Sequence, residues 1–399
     1  MHKFIYSSKD AWISELSSSN NYGYDEILEL KKVFKSTATS SIVSGVTRIL
    51  TYFDISGISQ SIVDGDIPAP SDNKTKYFLR LYSTEPSDLP KSYNLSAFAV
   101  SESWEEGTGK FADSPPKQDG VSWDRTDQSN TTTDWSDDGG MLTSGSRTLN
   151  SGSGTNDSGS SGGGTWYTGS TTSGYECTQS FSYESPDINM DVTTIVDKWL
   201  KQERINNGFI ITRSGSMSGS GDPQGEESDT SKQNLSFFSR NTNTIYPPKL
   251  EVRWDDHVPV TGSYTASLNE LDVSGDSDNY VYMKGIRPSY KENEEVKFKV
   301  GSRKRYISRT FSTSVQTISG SYIPEGSGSY SIVDIATGET IIPFSDYTKL
   351  SGGSDGNYFI QDLNTFQPNR IYKIIVKVKY NDGQELIFDD DNFQFKLTR

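Results

Sequence analysis

The sequence predicts an all-β protein: a jelly-roll-like β-sandwich followed by an immunoglobulin-like β-sandwich. Three observations carry that prediction. Apolar and polar residues alternate over several short runs, the period-2 signature of strands. Hydrophobic residues make up 32% of the chain while aromatics reach 12%, a balance that suits sheets joined by wide polar loops. The runs are bounded by Gly-, Asn-, Asp- and Ser-rich segments that supply turns. The 399 residues divide into a first domain over 1–257, a linker over 258–279 and a second domain over 280–399.

Phe4–Tyr6 and Asp10–Ile13 read as a first strand pair or one bent strand. Asn20–Tyr24 forms a turn in which Gly23 is free to take positive φ. Ile27–Leu30 is a short strand. Ile49, Thr51, Phe53 and Ile55 then share one strand face, with Leu50 and Tyr52 on the other, as expected when both sides are partly covered. Tyr77–Tyr82 and Leu95–Val100 continue the series.

A polar loop over 105–175 interrupts it, with Gly162-Gly163-Gly164 as its most flexible point. Loops of that length are usually functional or disordered. This one carries Trp104, Trp123, Trp135 and Trp166 at or within its bounds, and disordered linkers generally lack tryptophan. The four indoles are expected to pin the loop to its sandwich or to a neighbouring subunit. They are also the candidate interaction aromatics, as protein hot spots or as flat surfaces for a host glycan. A second polar loop covers 214–232.

Asp191–Trp254 closes the first domain. Val192, Ile195, Val196 and Trp199 fall at i, i+3, i+4 and i+7, one apolar stripe on a helix, with Asp191 placed to cap it. Gly208–Thr212, Asn234–Arg240 and Pro248–Trp254 follow as strands, and Trp199 is expected to anchor the core. In the second domain Val296, Phe298 and Val300 alternate with Lys297 and Lys299. Tyr372, Ile374, Val376, Val378 and Tyr380 form a longer alternating run, and Asp382-Gly383 turns it into Glu385–Phe388. Phe393, Phe395 and Leu397 mark a final strand. Short strands with such turns argue an immunoglobulin-like sandwich.

Several first-domain pieces resemble DNRLRE-type domains, β-sandwich modules of extracellular and cell-surface proteins. They are Asp10–Ile13, Asn20–Gly23, Arg48–Asp54, Leu79–Tyr82, Ser103–Glu106, Asp191–Thr194, Trp199, Asn207–Ile211 and Pro247–Leu250, in that order over roughly residues 5–255. The literal Asp-Asn-Arg-Leu-Arg-Glu string is absent and two long insertions interrupt the pattern. The whole chain is also similar in style to virion structural proteins of tailed phages, particularly marine myovirus types. These combine β-sandwiches, Ser/Thr/Gly-rich loops, acidic charge and no export signal. The resemblance implies a protein made in a host cytoplasm and located in the virion. It would contact other virion proteins and form a homo-oligomer or symmetric ring.

Charge and rare residues narrow the chemistry. Lys plus Arg is 38 and Asp plus Glu 53, a net −15 that repels a phosphate backbone, so no nucleic-acid partner is expected. The local excess Lys297, Lys299, Arg303, Lys304, Arg305 and Arg309 reads as a solvated strand face and turn. Cys177 is the single cysteine, which excludes an intramolecular disulfide. Neither a signal peptide nor a membrane helix is readable, so no membrane partner is expected. Histidine occurs at His2 and His257 alone, Cys177 has no evident base, and no phosphate-binding loop opens a helix. Glu105 and Glu106 are a conceivable glycosidase pair, but neighbouring strand residues point to opposite faces. No catalytic residue and no cofactor is therefore assigned. Structural calcium is the one ion considered, at Asp272, Asp276 and Asp278 beside Asn279, or in the turn Asp389–Asn392; solvated acidic turns are the competing reading. The leading expectation is a non-enzymatic virion structural protein. A host-surface adhesin or carbohydrate-binding module is the alternative, and a glycoside hydrolase a distant third.

Overall fold

The computed structural model describes residues 1–36, 42–72, 74–130, 133–135, 162–167, 175–182, 185–213, 233–260, 268–275, 278–306, 311, 313–314 and 320–399. Strands occupy 44% of the chain and helix 9%, so the protein is all-β, a pair of sandwiches with curled sheets. It divides into two compact units, Ile5–Val252 and Arg253–Arg399, the second of which also contains Met1–Phe4.

The first unit draws on the end of β1 (His2–Tyr6), whose residues from Ile5 on belong to it, and on β2 (Lys9–Ser14), β3 (Ile27–Ser36), β4 (Ile42–Tyr52), β5 (Thr75–Leu81) and β6 (Ser92–Ala99). It continues with β7 (Glu176–Ser182), β8 (Ile188–Asp191), β9 (Phe209–Arg213), β10 (Asn234–Phe238) and β11 (Lys249–Trp254). One sheet has the order β1-β11-β5-β8; the other runs β10-β3-β4-β9-β6-β7, with β2 also on β4. β4 is the organising strand. Its first half, Ile42–Val46, pairs with β3 and its second half, Thr47–Tyr52, with β2. β9 takes the other side over Ile49–Thr51. Strand β5 alternates buried and half-buried residues as its sequence predicts.

Among the described residues two α-helices punctuate this unit. Helix α1 (Ser56–Asp64) buries Ile58 and was not legible, because Ser56-Gly57-Ile58-Ser59 carries turn-forming residues rather than strong helix formers. Helix α2 (Thr193–Leu200) buries Ile195, Val196 and Trp199 on the predicted stripe. Asp191 accepts from the Thr193 backbone N–H at 3.0 Å and from its hydroxyl at 2.5 Å. Trp199 packs on Phe209 with ring centroids 4.8 Å apart, the core anchor expected of it.

The second unit comprises β12 (Asn269–Glu270), β13 (Asn279–Lys284), β14 (Ser289–Lys291), β15 (Glu295–Lys304), β16 (Ser321–Tyr322) and β17 (Gly328–Asp334). It is completed by β18 (Thr340–Ile342), β19 (Ser351–Gly353), β20 (Gly356–Asp362), β21 (Ile371–Lys379), β22 (Glu385–Phe388) and β23 (Gln394–Thr398). The sheets are β12-β16-β15-β20-β19, with β13 on β15, and β14-β23-β21-β17-β18, with β22 on β21. β14 pairs in parallel with the last strand, β23. The expected linker over 258–279 needs correction. Its residues Leu271 and Val273 are buried in this unit's core, and Asn269–Glu270 is a strand. Some strand content is expected in this span from its sequence; two apolar side chains among many polar ones are too few to mark it as core.

Candidate functional site

The loop that follows β6 supplies the most elaborate constructed region of the first unit. Trp104, Trp123, Trp135 and Trp166 are all buried, in one cluster with Ala11, Ile13, Leu50, Val100 and Ile210. Arg48 of β4 is buried too, with its guanidinium 4.8 Å from the Trp123 ring centroid and 5.1 Å from that of Trp166. A cation held between indole faces is stabilised by their negative π surfaces. Its Nη1 donates to the Gly163 carbonyl at 2.6 Å. The Trp104 indole N–H donates to the Asn207 carbonyl and that of Trp135 to the Ser122 carbonyl, each at 3.0 Å.

The indoles pin the loop to its own sandwich, the first of the roles expected of them, while two other expectations fail. The four tryptophans are not surface aromatics open to a glycan or partner; their rings are used inside their own unit. Gly162, Gly163 and Gly164 are there for close approach rather than flexibility. Gly163 has φ +84°, and a Cβ at that position would lie 2.4 Å from Arg48 Nη1 and 2.7 Å from the Trp123 ring. The loop residues 136–161, 168–174 and 214–232 lie outside the described structure.

Glu105 and Glu106 are drawn apart, as neighbouring residues in extended chain should be. Glu105 is exposed and meets the Lys9 ammonium at 3.2 Å. Glu106 turns the other way, its Oε1 accepting from the Asp10 N–H at 3.0 Å and its Oε2 from Arg240 Nη1 at 2.6 Å. They do not form an acid–base couple across a shared site. Asp10, which sequence reasoning passed over, is the perturbed carboxyl. It is fully buried and accepts from the Arg240 N–H at 2.7 Å and the Ser7 hydroxyl at 3.2 Å. Its Oδ1 meets no hydrogen-bond donor. Burial pushes its pKa from the ordinary carboxyl value to about 7, with the Glu106 charge adding to the rise. Period-2 alternation gave no warning, because Asp10 sits at an inward position flanked by Ala11 and Trp12.

Two features of the first unit face outward. In the first, Trp12 and Tyr22 stack with centroids 3.9 Å apart and planes 5° from parallel, and Phe111 lies against both at 6.1 and 6.3 Å. Phe111 is 65% exposed and Tyr24 50%. Lys31 lies 5.9 Å from the Phe111 centroid and Lys110 5.3 Å from that of Tyr24. The Tyr24 N–H donates to the Gly109 carbonyl at 2.9 Å, tying the two exposed rings to the same loop. The second feature is a cleft of about 150 Å³ lined by Lys9, Tyr52, Ser103, Trp104, Asn206 and Asn207.

The remaining candidates are absorbed by packing. Cys177 is buried 3.5 Å from the Thr194 hydroxyl, and burial pushes its thiol up to about 11. Both histidines belong to the second unit, where His257 Nε2 lies 2.6 Å from Glu325 Oε1. Asp276 lies outside the described residues. Asp272 accepts from Ser274 and pairs with Lys304 at 3.2 Å, and Asp278 lies 3.7 Å from Arg305. The basic run and the acidic run thus answer one another; Arg309 lies outside the described residues. In the other acidic turn Lys373 pairs with Asp389 and Asp391, while Asp390 accepts from the Asn392 N–H at 2.8 Å. Among the described residues no three acidic, His or Cys side chains converge as a metal site. No helix among them is long and apolar enough to cross a membrane.

No family model matches this chain, and no curated protein does. Among solved structures it is similar to the adhesin domain of Epf from Streptococcus pyogenes, at 8% identity over 100% of this chain and 92% of that one. The TM-score is 0.14, a likeness that carries no argument about fold or function.

Proposed function

We propose that this chain is a non-enzymatic structural protein of a tailed-phage particle, working through assembly contacts with other virion proteins and copies of itself. The observation that carries the reading is the exposed ring of Phe111, on a loop whose tryptophans are fixed in the core, beside the exposed ring of Tyr24, whose backbone is bonded to that loop. Large exposed rings on a rigid support are what dominate protein interfaces, since little side-chain entropy remains to be lost on contact. The sequence resemblance to tailed-phage virion proteins supplies the setting. The test is quantitative mass spectrometry of purified particles together with sedimentation of the isolated chain. The reading expects the chain at a fixed copy number in particles, and an oligomer that Phe111→Glu converts to monomer. A monomeric chain missing from particles would end it.

A second reading, attachment to a glycan of the host surface, is favoured by the cleft at Lys9, Tyr52 and Asn207, whose polar groups are not all used by the protein.

A further inference from the structure

We infer that the cleft between Tyr52 and Asn207 is a binding site for one neutral hexopyranose ring, such as the terminal residue of a surface glycan. The inference rests on the glycan reading and gives it a place that excludes the buried tryptophans.

The walls come from four segments held in fixed relation. Lys9 and Tyr52 are directly paired across β2 and β4, so their side chains leave the same face of the sheet. Ser103 and Trp104 come from the loop after β6, and the Lys9 ammonium donates to the Trp104 carbonyl at 3.1 Å. Asn206 and Asn207 precede β9. The Asn206 amide donates to the Phe53 carbonyl at 2.8 Å, its oxygen accepts from the Gly208 N–H at 3.0 Å, and the Asn207 carbonyl accepts from the Trp104 indole. Gly208 permits this approach: at φ +88° its Cα faces Thr51, and a Cβ would lie 2.2 Å from the Thr51 carbonyl oxygen. The site is thereby formed before any ligand arrives, which lowers the cost of binding.

Size and polarity select the ligand. A volume of about 150 Å³, on the scale of an engineered cavity that admits one benzene ring, gives room for one ring of a ligand whose remainder extends into solvent. The Tyr52 hydroxyl, the Ser103 hydroxyl and the Asn207 side-chain amide have no hydrogen-bond partner among the described residues. Together they offer donors and acceptors, as a polyhydroxylated ring requires. Burial and the neighbouring Asp54 raise the Tyr52 pKa, which keeps its hydroxyl proton in place at neutral pH. The one cation, Lys9, already has Glu105 as counter-ion at 3.2 Å, so the site favours no net charge on its ligand. The ring of Tyr52, which is half-buried, provides apolar surface for the C–H face of a pyranoside.

The test uses the full chain and the methyl pyranosides of glucose, galactose, mannose and N-acetylglucosamine. Saturation-transfer NMR identifies binding and titration calorimetry measures it. At least one glycoside is expected to bind in the millimolar range, the scale of a few hydrogen bonds to one ring. Tyr52→Phe and Asn207→Ala should each weaken it about three- to tenfold, the loss of one neutral hydrogen bond. Neither change touches a contact that holds the walls, because the Asn207 group bonded to Trp104 is its backbone carbonyl. An unchanged melting temperature checks this, and Ser103→Ala, at an exposed position, is the second variant. A glycoside that binds the Tyr52→Phe/Asn207→Ala double variant as well as the parent leaves the glycan reading standing but removes this site. No binding by any of the four removes both.

Discussion

In the second unit the core is assembled mainly by strands. Rings cross from one sheet to the other: Tyr330 of β17 stacks on Phe359 of β20 at 3.8 Å, and Phe298 of β15 meets Phe395 of β23 at 5.3 Å. In the first unit much of the core comes from between the strands. Trp104, Trp123, Trp135 and Trp166 pack in one cluster with Leu50 of β4, and two of them, Trp123 and Trp166, lie against the cation of Arg48. The difference teaches that a polar, glycine-rich stretch can be structural when a few large rings give it something to bury. It also explains how such a loop presents Phe111 and one wall of the cleft as fixed features.

The largest test of that contrast is truncation of a loop ring. Trp123→Ala should cost the first unit about 3–5 kcal/mol, as much as Phe298→Ala costs the second. Tryptophan fluorescence during denaturant unfolding reads the first unit almost alone, since of the seven tryptophans Trp254 lies outside Ile5–Val252. A loss below about 1 kcal/mol would make the loop an ornament rather than core.

Next in size is the pH dependence set by Asp10, which faces Glu106 and Arg240 where this loop meets β2. Its pKa is higher in the folded protein than in the unfolded chain, so the folded state holds the proton more tightly. The cost of its charge is absent below about pH 3.8, grows as pH rises towards about 7, and is constant above that. It reaches at most ~4 kcal/mol, and Asp10→Asn should remove this slope from a plot of unfolding free energy against pH. A variant with the parent's slope over that window would show that Asp10 is not the group responsible.

Gly163→Ala is expected to cost about 1–3 kcal/mol, since the methyl meets both Arg48 and Trp123 and the positive φ is strained for alanine. Equal melting temperatures would mean the glycines there are spacers. Smallest of all, Phe111→Ser should move stability by less than about 0.5 kcal/mol while weakening self-association in sedimentation. A large stability loss would place Phe111 with the core residues instead.

The contrast also explains what was legible. Alternation in Ile371–Lys379 or Thr75–Leu81 writes its own burial pattern, because each strand residue's neighbours are set by period and pairing. The stripe Val192, Ile195, Val196 and Trp199 did the same for its helix. Residues whose role depends on distant chain gave little sign: Arg48 lies 115 positions from Gly163, and Asp10 meets Arg240 across 230. The tryptophans signalled that the loop is ordered, and not which way they face. Phe111, Tyr24 and the cleft residues stood in turns and loops with no period to mark them.

The claim on which both the contact face and the cleft depend is that the loop over 104–135 is as fixed as the strands. Amide hydrogen exchange on the intact chain measures this directly. The Val121 N–H, bonded to the Glu105 carbonyl at 2.6 Å, and the Trp135 N–H, bonded to the Asp124 carbonyl at 3.2 Å, should exchange as slowly as amides of β4 and β9. Exchange of both at the rate of an unstructured peptide would contradict the account.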